Sequence, residues 1–265
     1  NDAFAEACAE AGIRFIGPAP ASMRVLGDKE AARKTMIEHG FPVVPGSEGT
    51  VDTLKQAIQA AKAIGYPLMI KAAKGGGGNG IRIVEDACAL EKEFPLVRRE
   101  AELAFGDGSV YLEAYLPQAR HIEVQILADM HGNVLHLGTR ECTLQRKNQK
   151  LIEEAPAANI PEATRNAIEQ TAVDIARAVG YQNAGTVEFL LTRDGRFFFM
   201  EMNARIQVEH PITESIFGLD LIKAQIQVAM GHHIRISQEN LIPRGHAIEC
   251  RINAECPAEN FRPSP

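Results

Sequence analysis

The chain has no closely spaced cysteine pair, no long apolar run and no surplus of positive charge. Cys8, Cys88, Cys142, Cys250 and Cys256 stand scattered through 265 residues. Without a CxxC pair they supply neither a zinc knuckle nor a redox dithiol. An odd number of distant thiols fits a reducing compartment: the cytoplasm, or the mitochondrial matrix in a eukaryote. No apolar stretch approaches the ~20 residues of a membrane span. The opening segment carries acids instead of the apolar core of a secretion signal. A net charge of -6 argues against general nucleic-acid binding, though local lysines and arginines can still hold a small anion. No internal repeat and no low-complexity linker is found. With 45% hydrophobic and 23% charged residues, the composition is that of a globular chain of one or two domains.

What is present is mixed α and β. Apolar periodicity predicts an opening helix through Phe4, Ala7, Cys8 and Ala11, then a short strand "IRFIG". These read as the end of an αβ unit. Further helices are predicted at 20–26, 28–40, 52–65, 86–104, 161–179 and 219–230. Pro161 and Gly180 punctuate the fifth of these. Strands are predicted at 109–114, 121–129, 134–142, 185–192 and 196–202, with an extended stretch on to 209 and a last strand in "HAIECRINAE".

Between the predicted helices at 52–65 and 86–104 lies "MIKAAKGGGGNGIRIV", residues 69–84. Glycine is costly where it is not needed, and a tight hairpin needs only one or two. The GxxxxGK[ST] phosphate loop is absent, and the dinucleotide fingerprint demands a helix where "IRIV" predicts a strand. The glycines therefore sit in a hairpin, a flap whose backbone N–H groups could close over phosphates, with Lys71 on the strand before it. A surface hairpin without a ligand is the plainer alternative.

In "TVEFLLTRDGRFFFMEMN", Asp194-Gly195 predicts a two-residue hairpin turn. Counting outward sets Glu188 opposite Glu201, with ~5 Å between facing side chains. Two carboxylates so placed are either solvated or share a cation, and Asn203 adds a third oxygen. Such oxygen donors suit Mg²⁺ (or Mn²⁺) completed by phosphate oxygens. Phe198, Met200 and Met202 should take the opposite, core face. In "NARIQVEHP", Asn203, Arg205, Gln207 and Glu209 alternate onto one side of an extended chain, with Ile206 and Val208 on the other and His210 held extended by Pro211. That pattern is either an edge strand or a small-anion site with a base beside it. "QRKNQKLIEEAP", 145–156, is a basic and then acidic run that reads first as a solvated face.

"KAAKGGGGNG", "ECTLQRKNQKLIEEAP", "AGTVEFL", "MEMNARIQVEHPITE" and "HAIECRINAE" together resemble the biotin carboxylase component of biotin-dependent carboxylases, members of the ATP-grasp superfamily. The resemblance covers nearly the whole chain. It implies a mixed α/β, ATP-grasp fold with a glycine-rich lid. Residues 1–27 would close a Rossmann-like domain, 28–240 would form the ATP-grasp domain with a lid at about 46–116, and 241–265 would begin a C-terminal domain. It implies ATP-dependent carboxylation of biotin by bicarbonate through carboxyphosphate. A carbamoyl phosphate synthetase-like ligase and a non-catalytic nucleotide-binding scaffold are the alternatives.

By matched motif, Lys29, Lys71, Gly77 and Gly78 would meet ATP phosphates. Glu113, Ala114, Tyr115 and Leu116 would meet adenine, and His121, Gln145 and Asn148 would line the nucleotide pocket. Glu188, Glu201 and Asn203 would hold the divalent ion. Lys150, Arg205, Gln207 and Val208 would hold bicarbonate, Glu209 would be its base, and Arg251 would stabilise the biotin enolate. Asn148 stands where many members carry histidine, and Lys74, Asn79, Ala114 and Cys256 also depart from the usual pattern. No "AMKM"-like attachment motif occurs, so biotin would arrive on a separate carrier protein or domain. A carboxyltransferase partner and a homodimer are the further implications, and "IEEAP" leans toward an acyl-CoA carboxylase of fatty-acid metabolism.

Overall fold

The computed structural model describes residues 1–73, 80–146 and 149–264. Gly77, Gly78, Lys74, Asn79 and Asn148 lie outside the described residues. Two sheets organise the chain. The smaller contains β1 (Leu68–Ala72), β2 (Ile81–Val84) and β3 (Val110–Ala114), in the order β2-β1-β3 and antiparallel throughout. The larger contains β4 (Arg120–Ala128), β5 (Val134–Arg146), β6 (Gln149–Ala155), β7 (Asn183–Leu191), β8 (Phe197–Asn203) and β9 (Ala247–Cys250), in the order β8-β7-β4-β5-β6-β9.

The helices are α1 (Asp2–Glu10), α2 (Pro20–Gly27), α3 (Lys29–Glu38), α4 (Leu54–Ile64), α5 (Ala87–Phe105), α6 (Glu162–Ala178), α7 (His210–Phe217) and α8 (Leu221–Ala229). Helix α4 begins with a capping box between Thr53 and Gln56. Helix α5 presents Leu90, Phe94, Val97 and Ala101, at helical spacing, to the small sheet. In β1, Leu68, Ile70 and Ala72 alternate into that core, which sends Lys71 to the opposite face. The large sheet has its own core, in which Ile122, Val124 and Ile126 of β4 pack with Ile168, Ala172 and Ile175 of α6.

The glycine run does join two antiparallel strands, as predicted. Gly80, with φ +74, ends it where an added Cβ would stand 2.8 Å from the Cβ of Ala72. Glu188 does face Glu201, but by a different route from the one predicted. The turn is a three-residue loop closed between Thr192 and Arg196, not a two-residue one. A bulge between Glu188 and Phe189 then restores the pairing. The same bulge changes which residues face inward. Phe199 and Met202 enter the core, while Phe198 and Met200 do not.

Three expectations need correction. "IRFIG" forms no strand; Ile13 and Ile16 are exposed, and no described strand lies alongside to pair with them. The charged run at 145–156 is not a loose face, because Gln149–Ala155 is a strand held between β5 and β9. The stretch 203–209 is not extended. It bends after Asn203, His210 closes a turn through its ring and N–H onto the Gln207 carbonyl, and α7 starts at His210 with Pro211 in its first turn. Proline is tolerated there because the first helical N–H groups have no intrahelical partner.

Candidate active site

Between the sheets lies a cleft of about 2940 Å³. Every predicted site residue within the described segments lines it, except Ala114. The Ala114 N–H donates to the Pro45 carbonyl (2.8 Å) and the Tyr115 N–H to the Pro67 carbonyl (3.0 Å), so both amides of this hinge serve the fold. The small sheet contributes Lys71 and Glu113, which lie on its cleft face and form an ion pair. Arg33 stands 3.8 Å from the same carboxylate. Lys29 opens α3 just after the Asp28 cap.

The large sheet contributes a lateral row of charge. Its registers set Arg140 beside Glu123, Glu123 beside Glu188, and Glu188 beside Glu201, on four neighbouring strands. Arg140 has no exposed surface, and neither has Glu123. A buried charge must be paired and hydrogen-bonded, and side chains from outside the row meet that demand, in a chain of alternating sign that runs Arg140, Glu123, Lys150, Glu209, Arg251, Glu153. Arg140 forks onto Glu123 Oε2, while Lys150 pairs with Glu123 Oε1. Lys150 Nζ also reaches Glu209 Oε1 (2.7 Å) and Glu188 Oε1 (3.2 Å). Arg251 then ties Glu209 Oε2 (2.7 Å) to Glu153 Oε1 (2.8 Å).

These contacts decide protonation. Burial pushes the Glu188 carboxyl up, but His121 and Lys150 outweigh it and hold the group down at about 2. Burial likewise opposes Glu209, and Lys150 again wins, keeping that carboxyl below its usual range. Glu153, where burial prevails over Arg251, is pushed up. Glu188 and Glu209 are therefore carboxylates at neutral pH.

Asn203 bridges Glu188 Oε1 (2.8 Å) and Glu201 Oε1 (3.4 Å). It does so through its amide nitrogen, and its oxygen accepts from Arg205 (3.2 Å). The predicted third oxygen donor thus faces Arg205; turning the amide over would present it to the carboxylates. The two facing carboxylates, bridged here by one neutral donor, fit a hard divalent cation.

His121 lines the cleft, as expected, and also meets the acidic row. Its Nε2 lies 2.9 Å from Glu188 Oε2 and 3.4 Å from Glu123 Oε1, and its Nδ1 is 2.8 Å from Gln145. The three groups His121, Glu123 and Glu188 are close enough to share a cation, and Lys150 supplies positive charge there. The signal was present in the sequence as His121 and Glu123 two apart on one strand face. Arg140 and Glu123 were not singled out, because each sits in a strand whose other residues read simply as core, and Glu153 was passed over in a charged run that read as solvated.

The family described as carbamoyl-phosphate synthase L chain, ATP binding domain, matches residues 28–237. The chain belongs to that family. A biotin carboxylase of Nostoc sp. is 52% identical over 265 residues, which is 100% of this chain and 59% of the relative. A biotin carboxylase-beta-gamma-ATP complex from Campylobacter jejuni superposes with a TM-score of 0.94 at 48% identity, covering 100% of this chain and 59% of that one. The biotin carboxylase domain dimer of Hydrogenobacter thermophilus 2-oxoglutarate carboxylase, solved with MgADP, ADP and bicarbonate, gives 0.93 at 46% identity over 99% of this chain and 58% of that one. The fold is that of the ATP-grasp biotin carboxylases, as the motifs implied, and the chain spans about three-fifths of these relatives. No helix among the described residues is long and apolar enough to cross a membrane.

Proposed function

We propose that this chain, within its full-length protein, carries the ATP-dependent carboxylation of biotin by bicarbonate. The observation that carries the reading is Glu209, a buried carboxylate held between Lys150 and Arg251 at the floor of the cleft. Bicarbonate is a weak nucleophile until its proton leaves, and a base must reach that proton at ~3 Å. Glu209 is ionised and can take it. Lys150 and Arg205 supply the positive charge that draws the anion into a net-acidic cleft, with Gln207 and Val208 beside them. A carboxylate with a lowered pKa is a weak base on its own; transfer becomes favourable as the carbonate oxygen bonds to phosphorus and loses its own basicity.

Lys29, Lys71 and the glycine flap would hold the phosphates, with Tyr115 and Leu116 at the adenine. Excluding water there protects carboxyphosphate, which hydrolyses easily. Glu188, Glu201 and Asn203 would hold Mg²⁺, which when bound neutralises phosphate charge. Arg251, already on Glu209, would meet the enolate of biotin as the carboxyl group arrives. The earlier division into residues 1–27, 28–240 and 241–265 belongs to this proposal. So do a biotinylated carrier, a carboxyltransferase, a homodimer and an acyl-CoA acceptor.

The test uses the full-length chain. ATP cleavage should require bicarbonate and rise with free biotin, and should be indifferent to ammonia. Ammonia dependence would instead indicate a carbamoyl phosphate synthetase-like ligase. Tight ATP binding without bicarbonate-dependent cleavage would indicate a scaffold. Offering the whole enzyme acyl-CoA or 2-oxo acids tests the acceptor.

A further inference from the structure

We propose that Arg140 is a positioning residue for the anion, acting through the amide of Gln207. The inference rests on the bicarbonate site proposed above. Arg140 touches no part of the cleft surface. Its guanidinium is shared among five side chains. Nε and Nη2 meet Glu123 Oε2 (3.2 and 3.1 Å), and Nη1 meets Gln125 Oε1 (2.7 Å) and Thr213 Oγ1 (3.0 Å). Nη2 also meets Thr186 Oγ1 (3.1 Å) and Gln207 Oε1 (2.8 Å).

The last contact selects one of two orientations of the Gln207 side-chain amide, which lines the cleft. A guanidinium only donates, so the Gln207 atom facing it must be the oxygen. On the other side, Gln207 Nε2 lies 2.9 Å from Glu188 Oε1. That same oxygen accepts from the Lys150 ammonium (3.2 Å), which can only donate, so it stands as an acceptor and the Gln207 atom facing it must be the nitrogen. Both neighbours choose the same orientation. One amide hydrogen goes to Glu188, and the second is left as a donor at the cleft wall. Without Arg140, the amide could turn over and set an acceptor where an anion must bind.

Lysine cannot reproduce this role. It keeps the charge that neutralises Glu123, but a single ammonium offers three hydrogens and no fork. Arg140→Lys in the full-length protein should therefore leave the ATP KM within twofold and raise the bicarbonate KM at least tenfold. In a Gln207→Ala background the same substitution should change the bicarbonate KM by less than twofold, because the group it positions is gone. Multiplicative effects in the double variant, or equal loss for both substrates, would overturn the proposal.

Thr213→Val is the second variant should Arg140→Lys fail to fold. It removes one anchor of the guanidinium at nearly constant shape, and should move the bicarbonate KM in the same direction by less, again only when Gln207 is present. A readout independent of turnover separates this inference from the functional reading beneath it. The Gln207 side-chain amide, followed by NMR hydrogen exchange, should lose protection at least tenfold in Arg140→Lys or, to a smaller extent, in Thr213→Val, while the β5 backbone stays protected. If wild type shows no bicarbonate-dependent cleavage, the functional reading falls and the exchange result alone decides Arg140. Unchanged protection of the Gln207 amide would sink it.

Discussion

The two sheets that face each other across the cleft are built on opposite principles. In the three-stranded sheet with α4 and α5, no polar side chain among the described residues is buried, and the charges Lys71 and Glu113 sit at the cleft face. In the six-stranded sheet, Arg140, Glu123, Glu153 and Glu188 are all buried, and Lys150 and Arg251 link them with the buried Glu209 at the start of α7. A purely apolar core holds a shape and can move as a body. A buried charge network fixes the positions of particular atoms, because each group left unpaired in low dielectric costs several kcal/mol. The small sheet therefore suits a closing element, and the large one suits the chemistry that must be held still.

The largest way to sharpen that contrast is Glu209→Gln. It keeps shape and removes basicity, so bicarbonate-dependent ATP cleavage should fall about 10²–10⁴-fold, with ATP KM within twofold; steady-state kinetics on the full-length protein reads both. The counterpart in the small sheet is Leu112→Ala. Leu112 is fully buried, and its loss should cost about 2–5 kcal/mol in chemical denaturation. At a temperature where the variant is folded, its bicarbonate KM should be that of wild type. A raised bicarbonate KM there would break the separation of roles between the sheets.

Glu201→Gln comes next. Turnover at limiting Mg²⁺ should fall by about 10–100-fold, recovering partly as Mg²⁺ is raised. The melting temperature should not drop, because Glu201 faces Glu188 and the substitution relieves like-charge repulsion. A smaller effect is expected in acid. Glu188 titrates at about 2 in the fold against a reference of 4.5. Between those values the unfolded chain binds more protons, so this group's stabilisation is present above 4.5 and is lost as pH falls toward 2. Melting curves of wild type should show that limb, and Glu188→Gln should flatten it. The smallest effect belongs to Thr53→Ala, which removes the α4 capping box. It should cost about 1 kcal/mol and leave kcat unchanged.

Much of this was legible along the chain because it depends on local periodicity. The helices through 28–40, 52–65, 86–104 and 161–179 announced themselves by apolar spacing and by their caps. So did the hairpin character of the glycine segment. The facing of Glu188 and Glu201 was legible too, although the loop and the bulge that produce it are two departures from ideal hairpin geometry that cancel. The strand Gln149–Ala155 was hidden because its charges read as solvated, and only its neighbours β5 and β9 explain them.

Sequence alone determined most of the element types and the family likeness, and its motifs put forward Lys150, Glu209 and Arg251, since these follow from residue patterns within short windows. Only the tertiary structure decided what those residues touch. Lys150 meets Glu123, 27 positions away, and Arg251 meets Glu153, 98 positions away. It also decided that Arg140, an ordinary letter in a β-strand, has five side chains to satisfy. Strand order and register bring such groups together, and these are set by how whole faces bury against one another. No window of sequence contains that information, because the energy of a buried charge depends on partners that the chain brings back from far away.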